Sequence, residues 1–192
     1  MDEHKGWHNR GYLPHFDAGE VTQSITFRLR DSLPQSVLLE LEHLKEKGLE
    51  GMIERQDRIE YYLDQGAGSC ILSEPNCAQI VQDALRFLDG KRYELRASVV
   101  MPNHVHFLAR FAEGQLLWKA MHSLKSFTSN ELGKIHPEVR PIWEEESFDR
   151  YIRSEEHYLY VERYIHQNPV KARLCKSAEL FRWSSAFVED DS

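Results

Sequence analysis

The sequence predicts an α+β fold: a ferredoxin-like (RRM-like) antiparallel sheet with helices packed on one face. Three observations point there. Apolar and polar residues alternate over residues 21–29, 93–100 and 104–111, as half-buried strands do. Apolar residues recur at helical spacing over 35–64, 73–88, 115–132 and 155–167. With a fourth, edge-like strand near 148–152, the two kinds interleave as β-α-α-β-β-α-β-α, the order of a ferredoxin-like sandwich.

Taken in order, residues 1–20 are rich in His, Gly and aromatics without periodicity, and are expected to form an irregular arm. Val21, Ile25, Phe27 and Leu29 then share one parity of a strand, with Thr22, Ser24, Thr26 and Arg28 on the other. Asp31-Ser-Leu-Pro34 turns the chain into a helix over 35–64, interrupted around Gly48, whose recurrent acidic residues read as its solvated face. Gly66-Ala-Gly68 breaks the chain but lacks the spacing and lysine of a phosphate loop. Ser73 before Glu74-Pro75 starts the next helix. After the strand 93–100, Met101-Pro-Asn103 leads into 104–111, where Val105, Phe107, Ala109 and Phe111 face one side and His104, His106, Leu108 and Arg110 the other. In helix 115–132, Leu116, Leu117, Ala120, Leu124 and Phe127 hold the core positions. The last helix should stop near Asn168, because Pro169 disfavours helical geometry before it.

Composition limits the function classes. At 192 residues the chain reads as one domain, 1–192, with an acidic tail at 188–192. No apolar run approaches the ~20 residues that span a bilayer, and the opening residues do not resemble a secretion signal, so a cytoplasmic protein without membrane contact is expected. Cys70, Cys77 and Cys175 form no CxxC pair and read as small buried or half-buried thiols. A formal charge of −7 runs against a nucleic-acid partner. Its distribution runs the other way over 163–182, where Arg163, Lys171, Arg173, Lys176 and Arg182 oppose Glu179 alone.

The chemistry concentrates in two short stretches. In His104-Val105-His106 both imidazoles point to one face of a strand, where they can share a metal ion while Val105 faces a core. In Tyr164-Ile-His-Gln-Asn168, Tyr164 and Asn168 lie four apart on one side of a helix. A phenol with a pKa of ~10 is a poor nucleophile at neutral pH and needs a neighbouring cation to polarise its target. A histidine pair, an amide oxygen from Asn168 and the Tyr164 hydroxyl would together suit metal-assisted cleavage of a phosphodiester. Either stretch alone has a plain structural reading: a surface histidine pair, or an amphipathic tyrosine with an asparagine helix cap. A histidine triad of the alternating kind would need a third imidazole where Leu108 stands. Tyr158 belongs with Val161 and Ile165 to the core face of the last helix; Tyr160 has no amide four residues on. His157 and His166 read as solvated helix histidines, with an accessory ligand or proton carrier as the other reading, and the same holds for the N-terminal His4, His8 and His15.

Met101-Pro-Asn-His-Val-His106 and Tyr164-Ile-His-Gln-Asn-Pro-Val-Lys-Ala172, with Trp143 and Trp183-Ser-Ser185, resemble the REP-associated tyrosine transposases. These belong to the single-tyrosine HUH transposases of insertion sequences, where U is a bulky apolar residue. Arg10-Gly-Tyr-Leu-Pro-His-Phe-Asp17 and Ile25-Thr-Phe-Arg-Leu-Arg-Asp-Ser-Leu-Pro34 resemble one branch of that group, so the likeness runs from about residue 7 to 187. The resemblance implies His104, His106 and Asn168 as ligands of Mg²⁺ or Mn²⁺ and Tyr164 as the nucleophile. It implies cleavage of single-stranded or hairpin DNA through a 5′-phosphotyrosine link with a free 3′-hydroxyl, whose return attack rejoins the strand without ATP. It is compatible with a monomer or a homodimer.

Candidate DNA contacts are Lys119 and Lys125 on the helix after the histidine strand, Arg150 and Arg153 beside the fourth strand, and Arg163, Lys171 and Arg173 around Tyr164. Trp7, Tyr12 and Phe16 are placed to stack on unpaired bases or to pack the arm. Two other functions fit the residues: a non-catalytic hairpin DNA- or RNA-binding module derived from such a transposase, and a metallohydrolase of small phosphoesters, which suits the acidic charge but leaves Tyr164 without a role.

Overall fold

A computed structural model describes residues 6–9, 14–17, 20–44 and 48–189 of the chain. Its centre is a four-stranded antiparallel sheet of β3 (Thr22–Arg28), β4 (Glu94–Val100), β5 (His104–Arg110) and β6 (Phe148–Tyr151), in the order β4-β5-β3-β6. The helices are α1 (Gln35–Leu44), α2 (Gly48–Asp64), α3 (Pro75–Leu88), α4 (Leu117–Ile135) and α5 (Glu155–Lys171). With α3 between the first two strands of the sheet and α4 between the last two, this is the ferredoxin-like arrangement that the interleaved periodicities imply. The histidine strand β5 is central, paired on one side with β3 from Thr22↔Arg110 to Arg28↔His104 and on the other with β4.

The expected irregular arm is corrected in part. The backbone of β1 (Gly6–Asn9) pairs antiparallel with β2 (Pro14–Asp17) in a two-stranded ribbon, with Trp7 opposite Phe16. Two four-residue strands are too short to show a period of two, although their aromatics favour extended chain. The base-stacking role expected of Trp7, Tyr12 and Phe16 falls on side chains outside the described residues, as do His4, His8, His15 and residues 190–192 of the acidic tail.

One face of the sheet carries the main core. Ile25 and Phe27 of β3, with Val105, Phe107 and Ala109 of β5, pack against Val81 and Leu85 of α3 and Leu117, Met121 and Leu124 of α4. Trp143, buried here, lies edge-on to Phe27 at 4.8 Å and donates its indole N–H to Thr128 Oγ1 at 2.9 Å. Phe127, expected in this core, is 53% exposed, and Thr128 takes the inward position. Residues 127 and 128 fit the same helical stripe, and Trp143 selects the one with a hydroxyl.

The opposite face was expected to be bare but for the site. Instead α5 lies across it, setting Val161 and Ile165 against Ala97, Val99, Met101 and Leu108, so β5 is buried on both faces. Helix α5 also runs past Asn168 and includes Pro169. Proline's fixed φ suits a helix, and its missing N–H costs a single bond in the last turn, where Ala172 N–H still reaches Asn168 O at 2.9 Å. Along the outer edge of β4 run Trp183-Ser-Ser185: Val100 N–H donates to Trp183 O at 2.8 Å and Ser185 N–H to Ser98 O at 2.8 Å. That segment covers an otherwise open strand edge.

Candidate metal and tyrosine site

Strand alternation puts His104 and His106 on the α5 side of β5, 1% and 2% exposed, with ring centroids 4.7 Å apart. Helix α5 carries Tyr164 to them: its ring lies edge-on to His106 at 5.5 Å. Asn168, one turn further along the same side of α5, is 1% exposed. The sequence-predicted set thus comes from two elements that the fold presses together.

Hydrogen bonding fixes which nitrogen His104 presents. Asn103 donates from Nδ2 to Ala67 O at 3.0 Å, so its Oδ1 is the acceptor that meets His104 Nδ1 at 2.7 Å. His104 therefore carries its proton on Nδ1 and a lone pair on Nε2. That Nε2 is buried without a hydrogen-bond partner, and so are both Oδ1 and Nδ2 of Asn168. Buried polar atoms are normally paired, since an unmet one costs about 1–3 kcal/mol. Unmet acceptors on His104 and Asn168 are groups that a cation would satisfy, so these residues fit a divalent metal. His106 Nδ1 lies 2.7 Å from Thr26 Oγ1, an outer partner that orients its ring.

The electrostatics keep the imidazoles ready to bind. Burial, then the charges of His106 and Lys171, hold the His104 pKa well below its usual value. Burial, then Lys171, pulls His106 down to about 3. Both rings are neutral at physiological pH, the form that coordinates metal.

Tyr164 has a partner that the sequence reading missed. Its hydroxyl donates to Glu60 Oε2 at 3.2 Å, and Lys171 Nζ meets Asp64 Oδ2 at 2.6 Å. Glu60 and Asp64 were expected on the solvated face of α2; instead they close over the tyrosine. Burial, then Glu60 and Asp64, push the Tyr164 pKa upward, so its phenol stays protonated. Burial also raises Glu60, against the hydrogen bonds from Gln56 and Tyr164. The only hint in sequence was that Glu60 and Asp64 fall one turn apart, flanking the apolar Leu63.

The candidate DNA contacts separate by their surroundings. Lys171 lies at the site, its ammonium 5.8 Å from the Tyr164 ring centre. Arg150, exposed, reaches Gln56 Oε1 at 3.3 Å, beside Glu60 on α2. Arg163, Arg153 and Arg173 are exposed around α5. Lys125 directs its ammonium at the carbonyls of Glu144 and Glu145, each at 3.0 Å, and Lys119 lies near the Trp118 ring. Of the accessory histidines, His157 Nδ1 accepts from Arg153 N–H at 3.3 Å and His166 Nε2 pairs with Ser185 Oγ at 2.9 Å. Tyr158 packs in the α5 core, as expected, and Tyr160 is 67% exposed.

Residues 74–168 match the family described as "Transposase IS200 like", a span that holds His104, His106, Tyr164 and Asn168. The chain is also similar in structure to a REP-associated tyrosine transposase solved bound to a REP hairpin. That match has a TM-score of 0.57 and 20% identity, over 96% of this chain and 82% of the other. A candidate transposase of Deinococcus radiodurans R1 matches at a TM-score of 0.36 and 15% identity, over 84% of this chain and 96% of the other. No curated protein matches the sequence. The family match agrees with the resemblance read from the motifs, and the first structural match with the fold. No helix among the described residues is long and apolar enough to cross a membrane.

Proposed function

We propose, starting from membership in the IS200-like transposases, that this chain is a metal-dependent transesterase that cleaves and rejoins single-stranded DNA at hairpins. The observation that carries the reading is the pair of unmet buried groups, His104 Nε2 and the Asn168 amide, beside a tyrosine held edge-on to His106. His104, His106 and Asn168 would hold Mg²⁺ or Mn²⁺. Bound there, the cation supplies Lewis acidity, polarising a phosphate and offsetting charge on its non-bridging oxygens. Two imidazoles and an amide also suit Zn²⁺ or Ni²⁺, so the ion that copurifies need not be the working one.

The chain's own residues do the rest. Tyr164 Oη attacks phosphorus; the new O–P bond forms as the bond to the 3′ oxygen breaks, leaving a 5′-phosphotyrosine and a 3′ oxygen that takes a proton from water to become the free 3′-hydroxyl. Glu60 Oε2, already accepting the phenol hydrogen bond, takes the proton that leaves Tyr164. Lys171, between Asp64 and the tyrosine ring, supplies positive charge on the side that a phosphate approaches. That the solved transposase of the same fold is bound to a REP hairpin supports hairpin DNA as the substrate class.

The test is incubation of the protein with Mn²⁺ and end-labelled hairpin DNA from repeats flanking its coding region, followed by a denaturing gel. A covalent adduct in wild type that disappears in Tyr164→Phe, with hairpin binding kept, is the expected result. An adduct at wild-type yield in Tyr164→Phe overturns the nucleophile. Hairpin binding without adduct under any divalent ion favours the non-catalytic binding module.

A further inference from the structure

On the other face of the sheet, three unlike ligand groups converge where α3 begins and α4 ends. Glu74 is the N-cap of α3 and Cys77 lies in its first turn, one turn apart on one side of the helix. His136 is the C-cap of α4, its N–H bonded to Leu132 O at 2.8 Å. The packing of α3 against α4 brings the Glu74 carboxylate, the Cys77 Sγ and a His136 nitrogen within 4.8 Å of one another.

We propose that Glu74, Cys77 and His136 form a second metal site, selective for Zn²⁺ and separate from the histidine pair of β5. Sulfur, nitrogen and oxygen donors together suit zinc, and their mixture disfavours Mg²⁺, which prefers oxygen alone. Three protein ligands leave a fourth tetrahedral position open, on the side where Glu74 is exposed and the buried Cys77 is not. An outer partner is in place: His136 Nδ1 lies 3.0 Å from Glu138 Oε1, the carboxylate–histidine pairing that orients a ligand ring and leaves Nε2 with its lone pair. Nε2 is 3.2 Å from Glu74 Oε1, yet it is buried without a hydrogen bond. That spacing is close to the ~3.3–3.8 Å between donors sharing a tetrahedral zinc with bonds of ~2.0–2.3 Å. The Cys77 Sγ lies within 4.8 Å of both groups.

The competing occupant of this pocket is a proton, with His136 as an imidazolium between two carboxylates. The two differ in what they do to sulfur: zinc needs the Cys77 thiolate, a proton does not. Burial, then Glu74, holds the Cys77 thiol up at about 11, so the thiolate is a state that a bound metal creates and a proton on His136 does not.

Titration of the full-length, reduced protein with Co²⁺, a spectroscopic stand-in for zinc, tests this directly. The expected result is a near-ultraviolet thiolate-to-cobalt band saturating at one equivalent and bleached by one equivalent of Zn²⁺. It should be retained in the His104→Ala/His106→Ala variant and lost in Cys77→Ser. Because Cys77 is fully buried and its variant can fail to fold, His136→Gln, at the helix end, is the second probe and should weaken Zn²⁺ at least tenfold in competition with a chromophoric chelator. No thiolate band in wild type, a band kept in a folded Cys77→Ser, or unchanged Zn²⁺ affinity in His136→Gln overturns the site.

Discussion

The Tyr164 hydroxyl donates to Glu60 Oε2 at 3.2 Å across 104 positions of sequence, tying the candidate nucleophile to a helix whose acidic residues look like ordinary solvated surface. Burial raises both groups: the raised Glu60 carboxylate is a stronger base, while the raised Tyr164 phenol holds its proton until attack on phosphorus draws on its oxygen. Glu60→Gln keeps a hydrogen-bond acceptor but removes the base. Adduct formation in a single turnover should slow by about 10²-fold or more, while hairpin affinity holds or improves, because a negative charge has left the DNA side. An unchanged rate would remove Glu60 from the chemistry; a faster one would make it a restraint on the tyrosine.

Asn103 offers a test of the histidine site that leaves every proposed ligand in place. Its amide links Ala67 O to His104 Nδ1 and so fixes the tautomer that exposes Nε2. In Asn103→Ala the ring is free to rotate and to shift its proton. Mn²⁺ affinity, followed by the paramagnetic resonance of free Mn²⁺, should fall about 10–100-fold, with Tyr164→Phe close to wild type as the control. If Asn103→Ala binds Mn²⁺ as tightly as wild type, His104 Nε2 is not a ligand.

Much of the fold was legible because each local period agrees with its tertiary setting. The alternation around His104 and His106 is that of a strand, and Tyr164 and Asn168 share a helix side wherever that helix packs. What escaped reading depends on partners distant in sequence. Whether an acidic residue on α2 faces water or Tyr164 is decided by where α5 crosses the sheet. The choice of Thr128 over Phe127 depends on the indole of Trp143. Pro169 is costly to an isolated helix, and that cost is small in a final turn where Ala172 N–H still reaches Asn168 O. Glu74, Cys77 and His136 carry no spacing signature, since only the pairing of α3 with α4 brings them together.

Acid should act on the folded state through the same two histidines. A histidine whose native pKa lies below its unfolded value of ~6.5 holds its proton less tightly when folded, so its contribution to stability is complete above that pH and declines as the pH falls toward the native pKa. For His106 that window runs from ~6.5 down to about 3, and His104 is depressed in the same direction. The midpoint of urea unfolding of the metal-free protein should therefore be level between pH 8 and 7 and drop between pH 6.5 and 5. Mn²⁺ affinity, by contrast, should stay nearly constant down to about pH 5.5 while the protein remains folded, because neither native ring takes up a competing proton there. Loss of Mn²⁺ tracking a pKa near 6.5 would mean that the rings are solvated.

Trp143 is one of the residues that carry the resemblance to transposases, yet its place is in the core: 5% exposed, edge-on to Phe27, its N–H on Thr128 Oγ1 at 2.9 Å. Thr128 Oγ1 in turn donates to Leu124 O at 2.7 Å, so one hydroxyl satisfies a buried indole and fixes its own rotamer. Thr128→Val preserves the shape and removes the acceptor, leaving a buried N–H unmet at a cost of about 1–3 kcal/mol. That loss should appear as an earlier urea midpoint with an unchanged denaturant slope. Because this contact lies on the α3–α4 face and the histidines face α5, Mn²⁺ affinity and adduct yield per folded molecule should not change. A variant as stable as wild type would show that the bond contributes nothing net. A stable variant that loses hairpin binding would instead move Trp143 from the core's account to the DNA's.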